Sequence, residues 1–363
     1  MKNLRIRLFS YILFVSPIIA LSDFSINNSF GIGYDSNPLR LSNNEINQIP
    51  ANSSILKNAK YVHSRFFNFK SVLKFKSKSI LPRIDKKTLY TISFSGKIHN
   101  DNQDKSVSSL GIQIDNLLGK YRHFYINYFF MPDFYLREYK DGDLVVDNSS
   151  IEDNLQSAKF SISKLSFAYS EKSSPQFPKL KFGISYERQL FDKFFTEFDL
   201  NITGFFSQIN FRLNDSITIF DDWTNIVQKE IMLYFSHEIA DNFTYLNGQL
   251  TTLNDDRSYN QSRIKFIYKE LVDTLPFVDK VRRIYQIDSY FRYNTSNIIS
   301  DELHYGRSHN DVTFTYSLKF DNHKISFSKR NRVTKSPQSW VENLKSFKRY
   351  IISYTFYFDK IKL

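Results

Sequence analysis

From Asp311 to Phe320 the chain reads Asp-Val-Thr-Phe-Thr-Tyr-Ser-Leu-Lys-Phe, so Val312, Phe314, Tyr316, Leu318 and Phe320 alternate with Thr313, Thr315, Ser317 and Lys319. A period of two marks an extended strand with one oily and one wet face. The same beat spreads outward from this stretch. Tyr350, Ile352, Tyr354, Phe356 and Phe358 form the last stripe, and Phe30, Ile32 and Tyr34 form the first. Phe67, Phe69, Leu73 and Phe75 oppose Asn68, Lys70, Lys74 and Lys76, and Tyr90, Ile92, Phe94 and Ile98 repeat the pattern. Segments of about ten residues, parted by Asp, Asn, Ser, Gly and Pro clusters, fill the chain from Ser25 onward. Leu155 to Ser170 and Asn201 to Leu213 change phase midway, which predicts bulges or misplaced turns there.

Composition narrows what such strands can build. The 363 residues are 41% hydrophobic and 24% charged, too apolar for a disordered tail, and the absence of cysteine removes disulfide scaffolds. Only one segment approaches the length of a membrane helix, so a helical transporter is excluded. Thirty-six Phe and 23 Tyr accompany only 10 Gly and 2 Trp, and no propeller-length repeat is found. A soluble sandwich would bury the oily stripes between two sheets, whereas one closed sheet turns them toward lipid and keeps its polar face for the bore. Closure also abolishes sheet edges. The expected fold is all-β: a single closed antiparallel transmembrane β-barrel spanning residues 23–363, of about 16 strands, with about 14 as the alternative. The larger count requires a short strand at Ser216 to Phe220 and a tight turn at Ala240-Asp241-Asn242. It puts long connections such as Asn37 to Lys60, Lys140 to Asn154 and Thr334 to Ser346 at one end, and Leu118-Gly119-Lys120 and Asp321-Asn322 at the other.

Residues 1–22 read as a secretory signal peptide. Lys2, Arg5 and Arg7 precede a mostly apolar run from Leu8 to Ala20, which ends at the small residues Ala20-Leu21-Ser22. Without those three cations the chain retains 46 basic and 37 acidic residues, an excess of nine positive charges.

Specific resemblance is confined to the two ends. Phe30-Gly31-Ile32-Gly33-Tyr34-Asp35-Ser36-Asn37 is similar to the first strand and turn of many Gram-negative outer-membrane β-barrels. Ser353-Tyr354-Thr355-Phe356-Tyr357-Phe358 resembles the carboxy-terminal signal read by the barrel-assembly machinery of that membrane, with Tyr354, Phe356 and Phe358 as the signal residues. Ser353 stands where that signal often has Gly, and Asp359 to Leu363 run past the aromatic that normally comes last. The resemblance implies residence in the outer membrane of a Gram-negative cell, with lipid, lipopolysaccharide and the assembly machinery as partners. It supplies no job.

A barrel of this size is by default an open channel for small polar solutes. The face opposite the oily stripes carries Lys70, Lys74, Lys76, Lys97, Arg137, Arg292, Lys324, Arg330 and Arg332, joined by Lys159, Arg349 and others. Fewer acids share it: Asp133, Glu187, Glu230, Glu238 and Asp288. Excess cations in a confined bore predict a weak anion preference.

Two other classes compete with the channel. An outer-membrane enzyme would need acid, His or Ser groups at the outer rim, and Asp301, Glu302, His304, His309 and Asp311 are the one such cluster. Five polar residues within eleven also describe an ordinary solvated loop, so no catalytic residue, metal or cofactor is assigned. A surface barrel for adhesion, ligand binding or envelope assembly would use the Asn- and Ser-rich loops, with Trp340 as the exposed aromatic to test. The positive charge is dispersed through strands and does not predict nucleic acid. No contact signature requires an oligomer.

Overall fold

A computed structural model describes residues 24–51, 53–56, 59–78, 87–140, 155–174, 177–192, 195, 198–213, 226–243, 256–272, 280–359 and 361–362. The strands are β1 (Ser25–Asp35), β2 (Ser64–Lys78), β3 (Lys87–His99), β4 (Val107–Leu117), β5 (Arg122–Lys140), β6 (Leu155–Glu171) and β7 (Lys179–Phe191). They continue as β8 (Leu200–Leu213), β9 (Ile226–Asn242), β10 (Tyr259–Val272), β11 (Val281–Asn294), β12 (Ser308–Phe320), β13 (His323–Lys335) and β14 (Phe347–Tyr357). Each pairs antiparallel with its sequence neighbours, and β14 pairs with β1 from Ser29↔Tyr357 to Asp35↔Ile351, which closes the cylinder. A two-residue strand, β15 (Ile361–Lys362), adds to the free end of β1 at Ser25 and Ile26. The residues beyond the last aromatic therefore extend the sheet.

The barrel has 14 strands, and the expectation of sixteen is corrected by register. β8 pairs directly with β9 from Leu200↔Asn242 to Leu213↔Lys229, leaving no place in the ladder for a strand between them. Ser216 to Phe220 lies outside the described residues. Ala240 and Asp241, read from sequence as a turn, belong to β9 opposite Ile202 and Asn201. Asp and Asn are turn formers by local chemistry, but ladder pairing with β8 overrides that preference.

The oily stripes face outward. Phe30, Phe182, Ile184, Phe205, Ile264, Phe291 and Ile352 are among the exposed large apolar residues, arranged around the whole circumference. An exposed apolar surface of this extent is stable only against lipid. Rings gather at the short-turn end, where Tyr268, Tyr285 and Tyr316 lie side by side at 6.0 and 5.0 Å, as interfacial belts do. The architecture is that of an outer-membrane β-barrel.

The phase changes have a different cause from the one expected. β6 pairs with β7 without interruption from Phe160↔Phe191 to Glu171↔Leu180, so it contains no bulge; the register shifts fall instead on β5, between Met131 and Phe134 and between Tyr135 and Arg137. Ala158, Phe160 and Ile162 point into the bore and pack with Phe191, Phe195 and Phe198. Leu200 and Ile202 likewise point inward, against Ala240 and Tyr259. Apolar residues on the inner face counterfeit a slip in alternation.

Candidate functional site

Opposite those apolar clusters, the loop-side mouth of the bore is lined by charge. Because Phe30, Ile32 and Tyr34 face out, β1 turns Gly31, Gly33 and Asp35 inward. A Cβ on Gly33 would stand 2.3 Å from Phe66 Cζ and 2.6 Å from the Ile352 carbonyl, so bare backbone is what lets the Phe66 ring lie against β1. On that ring rests the Lys97 ammonium, 3.7 Å from the centroid and 3.3 Å from Asp35 Oδ2. Arg349 grips the same carboxylate through Nε at 2.8 Å and through Nη2. Asp35 is fully buried among these donors.

A second carboxylate repeats the arrangement on β12. Asp311 accepts from Arg330 Nε at 2.9 Å, Arg330 Nη2 at 2.8 Å and Arg332 Nε at 2.8 Å, while Arg332 Nη2 donates to the Tyr290 hydroxyl. Arg330 stands directly opposite Arg349 in the β13–β14 register, so the two clusters meet.

Arg40 joins them from the connection between β1 and β2. Asn37 ties that segment into a tight loop: its Nδ2 donates to the Leu41 carbonyl at 2.8 Å and to the Lys348 carbonyl at 3.1 Å, and its Oδ1 accepts from Leu41 N at 2.9 Å. Arg40 sits at φ 60, a left-handed conformation that costs a side-chain-bearing residue energy. Its guanidinium makes no hydrogen bond to the described protein and lies 5.7 Å from the Phe134 ring. Burial, then the charges of Arg330, Arg349 and Arg332, lower its pKa to about 9, which leaves it cationic at neutral pH. Five cations (Arg40, Lys97, Arg330, Arg332 and Arg349) thus surround two carboxylates, Asp35 and Asp311.

The predicted lining residues divide. Lys70, Lys74 and Lys76 on β2, Lys97 on β3, Arg292 on β11, and Lys324, Arg330 and Arg332 on β13 all alternate with outward residues and face the bore. A chamber of about 380 Å³ lined by Asn68, Lys70, Ser95, Lys97 and Ser109 lies beside them. Arg292 belongs to the other wall, where it lies 3.6 Å from the Tyr259 ring and donates to Gln261. The Arg137 side chain lies outside the described residues. Lys159 alternates with the inward Ala158 and Phe160 and so faces out, not in. Tyr354 and Phe358 are exposed on the outer face near the short turns, and Tyr354 OH meets His323 Nδ1 at 2.7 Å.

The acid and histidine cluster does not converge. Asp301 and His304 form a buried pair at 2.9 Å, Glu302 accepts from Trp340 Nε1 at 3.1 Å, His309 meets Thr334, and Asp311 belongs to the arginines. These bonds tie loops together: Asp301 also accepts from Asp256 N at 2.9 Å, joining the β9–β10 and β11–β12 connections. Trp340 sits on a short helix, α1 (Ser339–Lys345), 46% exposed. Sequence reading missed Asp35 as a lumen acid, although Gly31, Gly33 and Asp35 share the phase opposite the first stripe. It could not find Arg40, because a loop has no period.

No family model matches the chain, and no curated protein matches it. Solved structures with a similar fold include OccAB4 of Acinetobacter baumannii, at 8% identity over 94% of this chain and 99% of that one, with a TM-score of 0.41. A loop-deletion mutant of OmpT, an outer membrane protein of Vibrio cholerae, matches at 8% identity over 92% and 99%, with a TM-score of 0.39. An anion-selective porin from Comamonas acidovorans matches at 7% identity over 93% and 99%, with a TM-score of 0.34.

Proposed function

We propose that the chain is a passive outer-membrane channel for small polar solutes that favours anions, and that the preference is set at the loop-side mouth. The observation that carries this reading is the surplus of cations there, completed by an arginine delivered from a loop in a strained conformation. An anion entering the bore meets donors already oriented by Asp35 and Asp311, so little reorganisation opposes its passage. Low-dielectric walls concentrate the field of the unbalanced charges along the path. The step is selective passage, with no bond made or broken. Residues 1–22 serve as the export signal in this reading, and Tyr354, Phe356 and Phe358 as the assembly signal.

The deciding experiment is the reversal potential of the purified protein in a planar bilayer under a potassium chloride gradient. The expected sign is that of chloride preference. Cation preference would overturn the selectivity, and absence of conductance would overturn the channel. In the latter case the mutually tied loops, Trp340 to Glu302 and Asp256 to Asp301, favour a capped surface barrel used for binding.

A further inference from the structure

One guanidinium at the loop-side mouth has no acceptor. Arg330 and Arg332 share Asp311, and Lys97 and Arg349 share Asp35, but Arg40 meets only the Phe134 ring and the like charges of Arg330, Arg332 and Arg349. Its fork of donors reaches no acceptor among the described residues. Arg349 adds a further open edge: Nε and Nη2 go to Asp35, and Nη1 reaches no acceptor among the described residues. A guanidinium held among like charges costs energy unless an anion sits between them. Arginine forks match the oxygens of a phosphate two at a time.

Lys97 connects this cluster to the chamber of about 380 Å³, which it lines together with Lys70. The chamber offers the space of about a dozen waters, far more than a phosphate ion fills. The rest of its polar wall is neutral: Ser29, Asn68, Ser95, Ser109 and Thr355 supply hydroxyls and an amide, and no carboxylate lines it. Ser95 and Ser109 stand opposite each other in the β3–β4 ladder with their Oγ atoms 2.8 Å apart. Gly31 lets this wall close up, since a Cβ there would collide with Asn68 Oδ1 and stand 2.9 Å from Thr355 Oγ1. Hydroxyls and amides that both donate and accept suit a ligand whose own hydroxyls do the same. A polyol has that chemistry, and its phosphate ester carries the matching charge.

We propose, building on the anion-channel reading, that the bore holds a station for phosphorylated sugars: Arg40, Arg349 and Lys97 take the phosphate, and the hydroxyl-lined chamber beside Lys70 takes the sugar. Calorimetric titration of the purified full-length mature barrel with glucose 6-phosphate, phenyl phosphate, inorganic phosphate or glucose tests it. Glucose 6-phosphate should bind about tenfold tighter than either other phosphate, and glucose should give no heat. Arg40→Gln should weaken glucose 6-phosphate about tenfold, the scale of one charged hydrogen bond. Ser95→Val, which suits a strand but fills the chamber, should bring glucose 6-phosphate and inorganic phosphate to similar affinities. Heat-dependent gel migration confirms that each variant is folded. Equal affinities for the three phosphates in the parent would overturn the proposal, as would an Arg40→Gln variant that binds like the parent. The reversal potential keeps the two readings apart: chloride preference without glucose 6-phosphate binding removes the station alone, whereas binding by a barrel that does not conduct removes the channel and leaves the station.

Discussion

The two walls of the bore solve opposite problems at the same height. On the β6–β10 side, Ala158, Phe160, Phe191, Leu200 and Tyr259 turn the inner face into a dry core that holds neighbouring strands and the β7–β8 connection together. Where carboxylates occur nearby they are neutralised: Lys164 lies 3.1 Å from Glu187 and 3.2 Å from Glu238, and Arg263 holds Asp288 at 2.5 Å. On the β12–β1 side the same position is occupied by cations that outnumber their acids. A sheet needs only one apolar face to sit in lipid, so its inner face can serve rigidity on one arc and selectivity on another.

Removing Asp35 tests the cationic wall hardest. Asp35→Ala leaves Arg349 and Lys97 without their buried counter-ion, and breaking such a pair costs about 3 to 5 kcal/mol. The variant should unfold at lower denaturant concentration in lipid vesicles while its reversal potential moves further toward chloride. A stability loss with no change in selectivity would show that the wall lies off the ion path. On the apolar wall the pattern should invert. Phe160→Ala empties a site packed against Phe191 and Phe134, at a cost of about 3 kcal/mol, with the reversal potential untouched.

Asp199, in the β7–β8 connection, sets a carboxylate against the apolar wall. Its carboxylate, 5% exposed, accepts from Phe191 N at 2.6 Å, and burial pushes its pKa up to about 6 despite that bond. The raised value means that the protonated form is the one the fold favours. Its contribution to stability is complete below about pH 4, declines between pH 4 and 6, and is absent above. Asp199→Asn keeps an acceptor for Phe191 and removes the buried charge, so it should stabilise the barrel at pH 7 by about 2 kcal/mol and leave it unchanged at pH 4. Equal effects at both pH values would refute the assignment.

Such contrasts explain what was legible in the sequence. Alternation from Val312 to Phe320 revealed the strands, the outward stripe and most of the inward cations, because the pleat enforces a period of two wherever one face is uniformly wet. It failed where Phe160, Ile162, Leu200 and Ile202 made the inner face oily, and the strand count was overestimated in the neighbouring stretch. Partnerships were illegible for another reason. Asp35 and Arg349 are 314 residues apart and meet only because the cylinder closes between β14 and β1. Arg40 lay beyond reach altogether, since its place depends on the Asn37 hydrogen bonds rather than on any periodic signal.

Arg40 also offers the finest cut between the walls, because it holds charge at the expense of backbone strain. Glycine occupies the left-handed region at little cost, so Arg40→Gly should raise stability by about 1 kcal/mol. It also removes one of three unbalanced charges, and the chloride reversal potential should fall by roughly a third. Arg40→Lys separates the two effects: it keeps the charge and the strained backbone, so selectivity should persist and stability should stay near the parent value. If Arg40→Gly conducted with parental selectivity, the loop would be a structural strut and the charged ring would reduce to Lys97, Arg330, Arg332 and Arg349. If instead Arg40→Lys lost selectivity while Arg40→Gly gained stability, the fork of the guanidinium rather than its charge would be what the passing anion meets.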